Sequence, residues 1–230
     1  ATTEIYTLSL HDALPIWEVR YGALRFLIRP TDFKHMGLFP EQAVNWDWMA
    51  GRIRAAGRPV SVLNLFGYTG GATVACAAAG AAVCHLDAAK GMVRWAGDNI
   101  RANGLGEREV RYIVDDARAF VARERRRGKQ YDAVVMDPPS YGRGAQGEPW
   151  KIERDLFSLV RDAAALLSPA PLFFVVNSYT AGFSPTVLAN ILEIVLQKRQ
   201  GGTTVKDELG LAPAGGGPVL PCGIVARWTP

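Results

Sequence analysis

The chain has 230 residues, 49% hydrophobic and 21% charged, with 26 Lys plus Arg against 22 Asp plus Glu for a net charge of +4. This composition excludes a disordered, collagen-like or coiled-coil chain, and the length is ample for one larger domain with a real core. A charge of +4 permits a nucleic-acid partner without demanding one, because the clustering of charge decides.

The opening segment, Thr3 to Ile16, reads TEIYTLSLHDALPI. It has no basic start, and Glu4, His11 and Asp12 break any apolar core, so it fails as a signal peptide. It resembles a translated sequencing-adapter read-through. Residues 1–16 are therefore read as an artefactual or disordered leader, His11 and Asp12 are set aside, and the natural chain is expected to start near Trp17.

From Trp17 to Pro30 apolar and polar residues alternate among aromatic and β-branched types, which predicts a strand or hairpin. GLFPEQ, Gly37 to Gln42, leads into a helix pattern at Trp46, Met49 and Ile53. A regular rhythm follows: strand Val60–Phe66, helix Ala72–Ala79, strand Ala82–Leu86, then a helix over Ala89–Asn103 stopped by Gly104. Next come strand Val110–Val114, a helix over Ala117–Arg127 stopped by Gly128, and strand Tyr131–Met136. A helix near Glu153–Leu167 precedes strand Leu172–Val176, and Ser184-Pro185 opens another helix with proline at an early position. Two last strands, near Thr203 and over Val219–Arg227, flank a Gly/Pro loop.

Strands alternating with helices imply βαβ units, hence a mainly parallel α/β sheet covered on both faces. Right-handed crossovers then put ligands beyond the carboxyl ends of the strands. Residues 17–58 are read as an N-terminal β extension with its helix, and 59–230 as the ligand-binding domain. The longest apolar runs fall short of the about 18 residues that span a bilayer, and the run Ala72–Cys84 is broken by Gly80. Cys76, Cys84 and Cys222 are too scattered for a disulfide framework, which favours a reducing, cytoplasmic setting and buried core roles.

Every chemical motif falls at a strand end. Asn64-Leu-Phe66-Gly67-Tyr68-Thr69-Gly70-Gly71 follows the first βα strand, and its glycines allow a tight turn and close approach to a ligand. The turn differs from a GxGxxG fingerprint. Asp87, followed by Ala88, ends the second strand, where a carboxylate can accept hydrogen bonds from the ribose hydroxyls of an adenosine. Of the pair Asp115-Asp116 before Ala117, one carboxylate suits the exocyclic amine of adenine and the other a helix cap; Asp116 is favoured for the base. Asp137-Pro138-Pro139-Ser140-Tyr141 is the most specific signal. Two prolines cannot sit in a central strand, so they stiffen the chain at a strand end, with carbonyls that could accept from a substrate amine and an aromatic face at Tyr141.

Together these segments resemble class I S-adenosylmethionine-dependent methyltransferases. The resemblance covers Trp17 to Trp228 and implies a Rossmann-like sheet of seven strands, mostly parallel, with the last strand inserted antiparallel. It implies that the glycine turn holds the methionine end of the cofactor, Asp87 the ribose and the acidic pair the adenine. HMGLFPEQ, NLFGYTGGAT, VDDA, DPPSYGRG and VLPCGIVARW are similar to the ribosomal RNA large-subunit methyltransferase group. Gln42 is expected to help hold the methionine end or cover the cofactor. The related cytosine-C5 enzymes carry a Cys-Ser pair after the fifth strand; here that place reads Asn177-Ser178-Tyr179. Without a thiolate to attack C6, carbon methylation is disfavoured. A base nitrogen needs only alignment and loss of a proton, with Asp137, Pro138, Pro139 and Tyr141 as catalytic candidates and no metal.

Arg143, Lys151 and Arg154, with Ser140, are the candidate RNA contacts. The cluster Arg123, Arg125, Arg126, Arg127 and Lys129 closes a helix pointing away from the site and reads as a solvated face. His85 reads as structural. Three rivals stay open: a protein or small-molecule acceptor, a nicotinamide-dependent oxidoreductase, and a scaffold with a vestigial site. A homo-oligomer is compatible with the sequence.

Overall fold

The computed structural model describes residues 16–31, 35–144, 147, 149–197 and 201–230; residues 1–15 of the expected leader lie outside the described residues. The chain opens with the hairpin β1 (Trp17–Tyr21) and β2 (Leu24–Ile28), a 3-10 turn at Pro40–Gln42 and α1 (Ala43–Ala55). The alternating unit follows as β3 (Ser61–Leu65), α2 (Gly71–Ala78), β4 (Ala82–Asp87), α3 (Lys90–Ala102), β5 (Val110–Val114), α4 (Ala117–Arg126) and β6 (Ala133–Met136). A small hairpin, β7 (Tyr141–Arg143) and β8 (Pro149–Lys151), precedes α5 (Ile152–Ala164), β9 (Phe173–Ser178) and α6 (Pro185–Leu192). The long strands β10 (Thr203–Leu211) and β11 (Leu220–Thr229) close the chain.

Seven strands form the main sheet in the order β10-β11-β9-β6-β3-β4-β5. β11 pairs antiparallel with both β9 and β10, and the other pairings are parallel. The order reverses between β3 and β6, so a crevice opens above their carboxyl ends.

The period of two along each strand divides the interior into two cores. Leu63, Leu65, Val134, Met136, Phe174 and Val176 face α4, α5 and α6, where Phe120, Leu156 and Leu188 meet them. Val62, Val83, Ala133, Val135, Val175 and Val225 face the other way, onto Trp46, Met49 and Ile53 of α1 and Val74 of α2, with Phe26 of the hairpin in the same cluster. Toward the carboxyl ends this second face turns polar, at Asn64, His85, Asp137 and Asn177. No helix among the described residues is long and apolar enough to cross a membrane.

The small hairpin β7–β8 is an addition to the expected elements. Tyr131, expected inside a strand, forms only an isolated bridge to Leu167.

Candidate active site

The loop leaving β3 is held in an uncommon conformation. Phe66 (φ +58°) and Tyr68 (φ +49°) are the non-glycine residues with positive φ among those described, a left-handed geometry that costs a bulky side chain roughly 1–2 kcal/mol. Its cost is offset by anchoring to β4: Gly67 N donates to Leu86 O (2.8 Å) and Tyr68 N to Asp87 Oδ2 (2.9 Å). Gly67 is demanded by its neighbour, since a Cβ there would lie 2.4 Å from His85 Cε1. Gly70, at φ +89°, caps α2 against Ala96. Thr69 Oγ1 donates to Gly37 O (2.5 Å), which ties GLFPEQ to the loop.

A cavity of about 550 Å³ lies above the strand ends, within the range of small-molecule sites. Phe66, Tyr68, Asp87, Ala88, Asp116, Ala117, Asp137, Pro138, Pro139 and Arg143 line it. Gln42, Asn64, Gly67 and Thr69 line instead a chamber of about 50 Å³ beside it, and Asp137 borders both spaces. Gly70 lines neither and acts through the backbone turn.

The carboxylates differ in what remains free. Asp87 accepts from Tyr68 N through Oδ2 and from Ala89 N through Oδ1, both at 2.9 Å. Burial raises its pKa, outweighing those bonds. Asp116 Oδ1 caps α4 by accepting from Arg118 N (2.9 Å) and Ala119 N (3.0 Å), so the residue favoured for adenine also takes the capping role. Asp115 is paired with Arg123. Asp137 is half-buried with its Oδ1 enclosed, and desolvation together with the negative charge of Glu41 pushes its pKa up to about 7. Its Oδ2 receives only a long contact from Gln42 Nε2 (3.4 Å), and its Oδ1 has no partner among the described residues.

Other expected residues are engaged within the protein. The Pro139 carbonyl accepts from Trp150 Nε1 (2.6 Å), so it is not open to a substrate amine as the motif suggested. Tyr141 is 66% exposed and does not line the cavity; Lys151 lies over its ring. Ser140 Oγ bonds Thr180 Oγ1 (2.7 Å). Arg154 forms a two-pronged pair with Asp155, at 2.8 Å on each prong, whose hydrogen bonding holds the Asp155 pKa near 2. Arg143 remains exposed at the rim. In the basic helix end, Arg123, Arg125 and Arg127 pair with Asp115, Asp162 and Glu124.

His85 is buried with its pKa lowered to about 4 by desolvation, and its Nδ1 lies 2.8 Å from Thr73 Oγ1. The sequence reading missed Phe39, Trp150 and Tyr179. Phe39 packs at a tilt between Tyr68 (5.5 Å) and Tyr179 (5.6 Å), and Phe66 packs on Trp150 (5.3 Å). Phe39 had a local signal inside GLFPEQ, and Tyr179 in its place directly after the strand-ending Asn177-Ser178; Trp150 had none.

The sheet order and the cavity beyond the strand ends define a Rossmann-like fold. The chain belongs to the S-adenosylmethionine-dependent methyltransferase family, whose pattern it matches over residues 6–191. It is 32% identical over 165 residues to a ribosomal RNA large subunit methyltransferase K/L of Syntrophotalea carbinolica, covering 71% of this chain and 22% of that protein. The corresponding protein of Methylococcus capsulatus gives 32% over 174 residues, 74% of this chain and 23% of that protein. The chain thus spans less than a quarter of the length of these curated relatives. Among solved structures, a SAM-dependent methyltransferase from Agrobacterium tumefaciens superposes with a TM-score of 0.91 at 38% identity, covering 96% of this chain and 72% of that one. A methyltransferase complexed with SAH shares the fold at 21% identity, with a TM-score of 0.76 over 96% of this chain and 58% of that one.

The residues fit the cofactor this family uses. The aromatic and apolar walls suit a nucleoside, and the Asp137 oxygen without a partner is a buried acceptor that a cationic ligand or an N–H donor would complete.

Proposed function

We propose that this chain methylates a base nitrogen of RNA, ribosomal RNA first among candidates, by direct in-line transfer without a cysteine nucleophile. The observation that carries the reading is Asp137. A half-buried carboxylate with one enclosed, unpartnered oxygen, a pKa pushed up to about 7 and a place beside a stiff proline pair suits the proton on an acceptor nitrogen.

When bound, S-adenosylmethionine supplies a methyl group on a cationic sulfur, already activated for displacement. The protein's tasks are alignment and proton handling. Asp87 would accept from the ribose hydroxyls, and Asp116, whose Oδ1 caps α4, would meet the adenine. Phe66, Tyr68 and Phe39 exclude water. Pro138 and Pro139 hold the acceptor ring, and Asp137 Oδ1 takes its N–H proton. Arg143 at the rim and Lys151, exposed on β8, meet phosphates.

Two further facts support a nitrogen target. Cys76 and Cys84 are buried, and burial pushes the Cys76 thiol up to about 12. None of the three thiols lines the cavity, so none is poised as a nucleophile. The RNA acceptor rests on the names of the curated relatives and on the exposed cations Arg143 and Lys151. Free thiols in the described residues agree with a reducing, cytoplasmic setting.

The test is incubation of methyl-labelled S-adenosylmethionine with unmodified ribosomal RNA, followed by digestion to nucleosides. Label is expected in an N-methylated nucleoside. Label in 5-methylcytosine would overturn the nitrogen target, and label confined to a protein or small-molecule acceptor would overturn the RNA assignment.

A further inference from the structure

On the α1 face of the sheet, six side chains form a partly buried chain of hydrogen bonds with one direction. Arg227, on β11, donates to Asn45 Oδ1 from both Nε (2.8 Å) and Nη2 (2.5 Å). Asn45 Nδ2 donates in turn to Gln42 Oε1 (2.8 Å) and Asn177 Oδ1 (3.0 Å). Gln42 Nε2 then donates to Tyr179 Oη (2.8 Å) and reaches Asp137 Oδ2 at 3.4 Å. Asn45 is 1% exposed, and Gln42 and Asn177 are also buried.

A side-chain amide presents an oxygen on one side and an NH2 on the other, and it can turn over unless a neighbour forbids it. A guanidinium only donates. Arg227 therefore forces the Asn45 oxygen toward itself, which forces its NH2 onto Gln42 and Asn177. Gln42, whose oxygen is thereby taken, must present its NH2 to Asp137 and Tyr179. Any one amide turned over would leave two donors or two acceptors facing each other in a dry interior, which costs more than the bonds gain.

We infer that Arg227 is a positioning residue: by fixing the polarity of Asn45 and Gln42 from the far edge of the site, it keeps a hydrogen-bond donor on Asp137 Oδ2 and leaves Oδ1 for the acceptor. The inference rests on the reading of Asp137 as the group that meets the acceptor nitrogen. The other charged or titratable groups in play are Glu41, which acts on both Asp137 and Tyr179, Tyr179 itself, and Asp207, which faces Arg227 from β10.

The chemistry separates two substitutions of similar size. Arg227→Lys keeps a donor-only cation, whereas Arg227→Gln can donate or accept and so releases the amides. The midpoint of the Asp137 carboxyl is read by carbon NMR titration, assigned with Asp137→Asn, and turnover is read alongside it. Arg227→Lys is expected to match the unsubstituted protein. Arg227→Gln is expected to raise the Asp137 midpoint by about one pH unit, the size of one lost hydrogen bond. Its kcat is expected to fall about tenfold while KM for S-adenosylmethionine moves less than about twofold. Equal behaviour of Lys and Gln variants, whether both intact or both impaired, would overturn the relay in favour of no role or mere packing. In the unsubstituted protein, the Gln42 side-chain NH2 resonance should titrate with the Asp137 midpoint; independence of the two would also overturn it, with no variant required to fold. The midpoints need no acceptor, so a relay that fails there is distinguishable from a wrong acceptor assignment, which would show as undiminished turnover of Asp137→Ala.

Discussion

Strand β6 is only four residues long and carries an aspartate just beyond each end. At the amino end, Asp132 is saturated: Oδ2 accepts from Ser61 N (2.8 Å) and Oγ (3.0 Å), while Oδ1 accepts from Ser168 Oγ (2.9 Å) and pairs with Arg58 (2.9 Å). Burial pushes its pKa up, but those donors outweigh it and the net shift is downward. At the carboxyl end, Asp137 is likewise half-buried but nearly without donors, and it is shifted upward. The same side chain, on the same strand, thus holds three chain segments together at one end and keeps an unpartnered oxygen at the other. An unsatisfied carboxylate is tolerated best where something else completes it, which supports the carboxyl end of the sheet as the proposed working face.

Substitution breaks this contrast most visibly. Asp137→Ala should cost at least about 10²-fold in transfer, the scale of losing one aimed polar group in a dry site, without lowering the melting temperature. Asp132→Ala should do the reverse, losing about 2 kcal/mol of stability while kcat of the folded enzyme stays within about twofold. Turnover assays and thermal melts of the two proteins would show both, and swapped phenotypes would contradict the comparison.

The pH dependence of stability sharpens it. Because the folded pKa of Asp137, about 7, exceeds the unfolded value of about 4, the folded state holds an extra proton between them, and stability falls as pH rises through that window. Asp132 has the opposite sign: its contribution is present above about pH 4 and is lost as pH falls through its depressed folded value. In denaturant titrations of the ligand-free protein, Asp137→Asn should flatten the decline between about pH 4 and 7, and Asp132→Asn should weaken the acid-side loss. A smaller effect is expected at the strained loop. Tyr68→Gly removes a left-handed tyrosine, so it should gain up to about 1 kcal/mol of stability while weakening cofactor binding; a variant that loses stability would remove strain from the account.

Much of this was readable in the chain, and for identifiable reasons. Strand β5 has the bounds its alternation indicated, Val110–Val114, and Gly104 and Gly128 follow their helices at positive φ as stop signals should. Asp87, Asp116 and Asp137 announced themselves because a strand end followed by a turn is a local pattern. The hairpin β7–β8 escaped because strands of three residues are shorter than any periodicity can register. Tyr179 and Trp150 escaped because their roles depend on distant partners: Gln42 and Tyr179 meet across 137 positions of sequence. The motif showed the prolines and hid that Trp150 already occupies the Pro139 carbonyl.

The empty oxygen of Asp137 can be tested through the proton it holds. S-adenosylmethionine carries a net positive charge near neutral pH, so its arrival in the shared cavity should ionise Asp137 and expel a proton. Calorimetric titration at about pH 7, repeated in two buffers of different ionisation enthalpy, counts that proton. Binding is expected to release protons from the unsubstituted protein and to release measurably fewer from Asp137→Asn. Proton release that is absent, or identical in the two proteins, would contradict the placement of Asp137 at the cofactor.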